Sequence, residues 1–171
     1  ALGAAHAEGV AHRDLKPRNV MLLQSSAQRD VVKLCDFGLS RTTSGQDRVT
    51  ATGTPVGTPA YMAPEQIRGE VAQDHLVDIY GLGVTAYEML TGRVPHRGDT
   101  LVSTLAMQML DPIEPPSRVS PALAIPATVE AVVMKALAKA REDRYGTMAD
   151  LLVDLERASE APLTEPVSVS A

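Results

Sequence analysis

Apolar positions change their period several times along this chain, and each change marks an element. The opening ALGAAHAEGV reads as the tail of a helix with Gly9 at its end. Two β-rich runs follow, VMLL at 20–23 and VVKLC at 31–35, and the polar stretch from Gln24 to Asp30 between them predicts a short hairpin. From Asp36 to Pro64 the density of Thr, Gly and Pro is too high for a helix or a central strand. A long irregular segment is expected there, of a kind that is usually functional or disordered. Helices dominate the rest. Residues 78–91, DIYGLGVTAYEMLT, are apolar on almost every face and stop at Gly92, which predicts a buried central helix. Val129, Val132, Val133, Ala136 and Leu137 share one helical face, so the helix after Pro126 packs that face inward. Thr147 and Asp150 have capping-box spacing and start a further helix expected to bury Met148, Leu151, Leu152 and Leu155. Periodicity ends after about Ser159, giving one folded unit over residues 1–157 and a tail, 158–171, rich in Pro, Ser and Thr and expected to be disordered. There is no internal repeat.

Composition narrows the function classes. The 171 residues suit one domain, and a hydrophobic content of 44% is enough to bury a core. That core must be aliphatic, because the chain has no Trp, one Phe and four Tyr. A net charge of −5 argues against a sequence-independent nucleic-acid binder and against anionic membrane surfaces, both of which call for an excess of Lys and Arg. The single cysteine, Cys35, forms no internal disulfide and no cysteine-based zinc site; a reducing, cytoplasmic setting fits, and a buried strand-end thiol is expected rather than a reactive one. No apolar run approaches the about 20 residues that span a bilayer, so no membrane contact is expected from this segment, although an anchor elsewhere in a longer parent stays open.

Candidate chemistry concentrates in three strings. HRDLKPRN, His12 to Asn19, sets an acid, a base and an amide in a tight turn between helix and hairpin. DFG, Asp36 to Gly38, follows the second strand directly, and GTPAYMAPEQ runs from Gly57 to Gln66. In this order and context the strings resemble the catalytic loop, metal-binding loop and activation-segment end of protein kinases. Details such as PEQIRGE and MLTGRVP resemble the eukaryotic-type serine/threonine kinases of bacteria, and matching features run over nearly the whole chain.

The resemblance implies a mainly α fold: a kinase C-terminal lobe, with a helical bundle around a buried central helix and a small β-hairpin. It implies that Asp14 accepts or orients the proton of a substrate hydroxyl, and that Lys16 neutralises charge on the transferring phosphoryl group. Asn19 and Asp36 would give oxygen ligands to magnesium or manganese, with ATP as phosphoryl donor and proteins as acceptors. Gly38 would let the chain turn so that Asp36 aims inward. Thr58 would hydrogen-bond the Asp14 and Lys16 pair. His12 is expected to be structural, packing on Phe37. Arg13 would pair with a phosphorylated threonine, Thr50 or Thr52 before Ser44 or Thr54. Glu65 would form a buried ion pair with Arg144, and Asp78 would accept backbone N–H bonds from the catalytic loop.

The chain departs from the family pattern in small ways and one large one. Val77 stands where Ser is usual, His96 where Phe often follows Pro, and the stretch between Asn19 and Asp36 is longer than common. No GxGxxG loop and no VAIK-type lysine occur, so the N-terminal lobe of the kinase is a missing partner. Little or no activity is expected from residues 1–171 alone, along with an exposed apolar surface near Phe37. Two other classes fit the chain less well. A pseudokinase or interaction scaffold is disfavoured by intact Asp14, Asn19 and Asp36; a kinase-like small-molecule phosphotransferase is disfavoured by the segment Gly57 to Glu65.

Overall fold

A computed structural model describes residues 1–23, 31–37, 59–70 and 74–160. Its axis is α3, Leu76–Thr91, whose Val77, Ile79, Tyr80, Val84 and Tyr87 are all buried, as a helix apolar on every side requires. The helix starts two residues before the expected Asp78, and at that end the Asp74 Oδ1 accepts the Leu76 N–H at 3.0 Å. It stops at Gly92, which takes φ 75° and sends its N–H to the Glu88 carbonyl at 2.8 Å.

Two clusters pack around α3. Tyr80, Val84 and Tyr87 meet Ala63, Val133 and Leu137; Ile79 meets Val132, Ala136, Tyr145, Leu151 and Ala158. Val132, Val133 and Ala136 come from α6, Ala127–Ala136, with Leu137 just after it, and Leu151 and Ala158 from α7, Met148–Glu160. Contact between α3 and α6 is close enough that a Cβ on Gly83 would sit 3.0 Å from Leu137 Cγ and 3.1 Å from Ala136 Cβ. Thr147 caps α7 as expected, its Oγ1 accepting the Asp150 N–H at 3.1 Å.

Two expectations for α7 need correction. Leu151 is buried and Met148 half-buried, but Leu152 is 52% and Leu155 39% exposed. The inner face runs along Leu151, Asp154 and Ala158, and Leu152 lies about a third of a turn round from it. The helix also continues through Glu160 with Ala158 buried, so residues 158–160 belong to the folded body rather than to a tail. Residues 161–171 lie outside the described residues.

The remaining elements frame the site. Helix α1, Leu2–Ala7, ends before Gly9 at φ 72°. Strands β1, Val20–Leu23, and β2, Val31–Leu34, pair antiparallel with Val20 opposite Leu34 and Leu23 opposite Val31. The second strand stops one residue short of Cys35, which is half-buried rather than buried. The expected apolar surface is present, with Met21, Leu22, Val31, Val32 and Phe37 all exposed. Short helices α2, Pro64–Ile67, and α5, Pro116–Val119, each begin on a proline, which suits the first helical position. Between them lies α4, Leu101–Leu110, capped by the Thr100 hydroxyl. Among the described residues no helix is long and apolar enough to cross a membrane.

Candidate active site

The loop from His12 to Asn19 is held from below by one buried carboxylate. Asp78 sits in the first turn of α3, and its Oδ2 accepts the His12 N–H at 2.7 Å while Oδ1 accepts the Arg13 N–H at 2.6 Å. His6 of α1 adds a third contact, Nε2 to Asp78 Oδ2 at 2.8 Å. These bonds keep a buried charge solvated by donors and shape the loop, in which Arg13 takes φ 66°, a region a residue with a Cβ seldom enters. The next buried side chain, Leu15, lies directly on α3. A Cβ on Gly81 would be 3.2 Å from the Leu15 carbonyl oxygen, so glycine is what lets helix and loop touch.

Above that floor the polar side chains of the loop converge. Lys16 Nζ donates to Asp14 Oδ2 at 2.7 Å. Asn19, buried in the turn Pro17–Asn19, donates Nδ2 to the Asp14 carbonyl at 2.8 Å and to Oδ2 at 3.2 Å. Spending both amide hydrogens this way turns Oδ1 to the other side, and among the described residues nothing donates to it.

The backbone next to Asp36 is tied to the same loop. The Cys35 N–H donates to the Asn19 carbonyl at 2.9 Å, and His12 Nε2 donates to the Cys35 carbonyl at 2.8 Å. The His12 Nδ1 accepts from the Asp14 N–H at 3.3 Å. Its ring packs on Phe37 with centroids 4.8 Å apart, the structural arrangement expected for His12. Asp36 itself has φ 61° and is exposed. Among the described residues no three His, Cys, Asp or Glu side chains cluster, and the implied donor set, one amide and one carboxylate, needs no such cluster.

A second polar network underlies residues 59–65. Arg144 and Glu65 form a buried bidentate pair at 2.7 and 2.8 Å, as the sequence predicts. The other guanidinium hydrogens go to the carbonyls of Ala138 at 2.8 Å, Leu76 at 3.1 Å and Lys139 at 3.2 Å, which satisfies the fork. Arg144 also lies over the Tyr80 ring at 4.9 Å. The Tyr80 hydroxyl, its pKa raised chiefly by burial, donates to Gln108 Oε1 at 2.7 Å, and Gln108 Nε2 donates to the Ala60 carbonyl. Lys139 Nζ reaches the Gln108 carbonyl at 2.5 Å and His96 Nε2 at 3.2 Å. Burial pushes Lys139 down to about 8, and burial together with the Lys139 charge lowers His96.

Two parts of this arrangement lie outside the motif strings, His6 beneath the loop and the His96–Lys139 contact, and Gln66 ends the string GTPAYMAPEQ without any sign there of its bond to Arg13. His96, which stands where Phe often follows Pro, is buried in this network. Gly38, Thr50, Thr52 and Thr58 lie outside the described residues, as do Ser44, Thr54 and Gly57.

A carboxylate paired with a lysine and an asparagine, in a loop anchored on a central helix and laced to a hairpin, is the arrangement of a phosphoryl-transfer enzyme of the protein kinase class. Residues 1–154 match the protein kinase domain model, and the chain belongs to that family. Over its whole length of 171 residues it is 44% identical to the serine/threonine-protein kinase Pkn1 of Myxococcus xanthus, covering 24% of that protein. It is 42% identical over 159 residues, 92% of the chain, to the serine/threonine-protein kinase PknB of Mycobacterium tuberculosis, covering 24% of it. Similarity to the serine/threonine-protein kinase PknH of Mycobacterium bovis is 38% over 162 residues, 95% of this chain and 26% of that one. The chain thus spans about a quarter of the length of the curated relatives it matches.

Proposed function

We propose that this chain supplies the catalytic loop of a serine/threonine protein kinase, which moves the γ-phosphoryl group of ATP onto a protein hydroxyl. The observation that carries the reading is the Asp14 carboxylate, which is held at 2.7 Å by Lys16 and at 3.2 Å by Asn19 in a loop clamped on Asp78.

In that role the free edge of Asp14 orients the acceptor hydroxyl and takes its proton as that oxygen bonds to the γ-phosphorus and the bond from phosphorus to the bridging oxygen breaks, with ADP leaving. Lys16 Nζ, already beside Asp14, lies where it can meet the charge of the transferring group. Asn19 Oδ1 and the Asp36 carboxylate fit a hard cation such as magnesium or manganese, because both are oxygens left without a donor among the described residues. Bound there with ATP, the cation supplies neutralisation of the phosphate charge. Arg13, Thr50 and Thr52 form the proposed regulatory set, with a phosphorylated threonine drawn to the arginine.

The test uses the full-length gene product, labelled ATP, magnesium and a library of Ser- and Thr-containing peptides. Transfer is expected, and Asp14→Asn should lower turnover by about 100-fold or more while leaving nucleotide affinity near its original value. Equal turnover in the variant would remove Asp14 from the chemistry. Absence of transfer by the unaltered protein would leave the scaffold reading in its place.

A further inference from the structure

The Gln66 side chain makes two hydrogen bonds with different jobs. Its Oε1 accepts the Ala63 N–H at 3.0 Å and closes the first turn of α2. Its Nε2 leaves the helix and donates to the Arg13 carbonyl at 2.8 Å, 53 residues away in sequence. That carbonyl belongs to the peptide joining Arg13 to Asp14.

We propose that Gln66 is a positioning residue for the Asp14 carboxylate, its side-chain amide fixing the Arg13–Asp14 peptide while its side-chain oxygen caps α2. The inference rests on the reading that Asp14 serves phosphoryl transfer. Arg13 has φ 66°, a conformation that persists in a residue with a Cβ only where the surroundings determine it. Asp78 determines the N-terminal side, accepting the Arg13 N–H at 2.6 Å. On the C-terminal side the peptide oxygen is held by Gln66, whereas the peptide N–H, that of Asp14, makes only a long bond of 3.3 Å to the His12 ring. Rotation of this peptide changes ψ of Arg13 and φ of Asp14 together, so its orientation sets where the Asp14 side chain leaves the backbone.

The anchor is itself fixed. Glu65, the preceding residue, is gripped by both terminal nitrogens of Arg144 and is buried. Gln66 therefore reaches Arg13 from a backbone that cannot drift, and the series Arg144, Glu65, Gln66, Arg13, Asp14 joins the buried ion pair to the candidate catalytic carboxylate. Helix capping alone would use only the oxygen of Gln66, and the amide nitrogen points at the loop.

Two substitutions separate the jobs. Gln66→Glu keeps an oxygen for the Ala63 N–H and loses the donor to Arg13; Gln66→Leu loses both. On residues 1–171, NMR follows the Arg13 carbonyl carbon and the Asp14 amide, and the melting temperature is recorded alongside. On the full-length gene product, kcat and KM are measured. Both variants should move the Arg13 and Asp14 resonances and lower kcat about tenfold with KM for ATP and peptide nearly unchanged, while only Gln66→Leu lowers the melting temperature. Resonances or kcat in Gln66→Glu that match the unaltered protein would overturn the proposal and reduce Gln66 to a helix cap. Shifted resonances in Gln66→Glu, together with an unaltered full-length protein that transfers no phosphate, would uphold the clamp and overturn the phosphoryl-transfer reading.

Discussion

His96 shows how one side chain can tie this fold to pH. It is buried, accepts from Lys139 Nζ at 3.2 Å and also faces Asp111, whose charge and backbone act in the opposite sense to burial and the Lys139 charge. Its pKa in the folded chain lies below the ordinary value of 6.5, so on acidification through that value the unfolded chain takes up a proton that the folded chain refuses. Stability should fall as pH drops below about 6.5. Lys139 has the same sign at the other end of the scale. With a folded value of about 8 against 10.5, it makes the unfolded chain the better proton binder between those limits, so stability from this group rises as pH climbs through them. Melting curves from pH 5 to 10 should show both slopes, and His96→Phe should flatten the acid one while the alkaline one remains. An unchanged acid slope in that variant would assign it to other groups.

At the level of elements, the loop from His12 to Asn19 depends on how closely it lies on α3. Gly81→Ala would place a methyl group 3.2 Å from the Leu15 carbonyl and 3.3 Å from its Cβ, with a helix on one side and a pinned loop on the other. The expected cost is about 1–3 kcal/mol, read by urea denaturation, with amide shifts at Asp14 and Lys16 because Leu15 lies between them. A fully native spectrum would mean that the loop gives way without cost. The same comparison explains which elements the sequence makes legible. Helices α3 and α6 announce themselves because apolar residues mark their buried sides. Helix α4 does not, since its buried positions are Thr104 and Gln108, whereas Val102 and Leu110 are 74% and 76% exposed. Its other large apolar residues, Leu101, Leu105, Met107 and Met109, are only half-buried, so a reading based on burial of apolar residues has little to follow. On α7 the opposite error arises, because Leu152 and Leu155 are apolar but off the packing face, where Asp154 lies. Within the site, Asp78, Glu65 and Arg144 are legible through the motif strings. His6 and Gln66 act across 72 and 53 residues by single hydrogen bonds, which leave no local pattern.

Across the whole molecule, the Glu65–Arg144 pair joins segments 79 residues apart and closes the body between the end of the activation segment and the start of α7. Both partners are buried, so removing one leaves the other charged and without compensation. Arg144→Ala should cost about 3–5 kcal/mol by urea denaturation, and Arg144→Lys should recover only part, because an ammonium cannot make the paired contact or serve the three carbonyls at once. Recovery of full stability by lysine would show that charge alone suffices there.

The bond from Gln108 to the Ala60 carbonyl has a mechanical corollary. Residue 60 is tied to α4 by that bond, α4 to α3 by the Tyr80 hydroxyl on Gln108, and Tyr80 lies beneath the guanidinium that grips Glu65. Residues 59–65 and the outer helix are therefore geared together: neither turns without carrying the other or parting a buried polar bond, so a load applied to the exposed side of α4 is delivered to the stretch of chain beside the loop that holds Asp14.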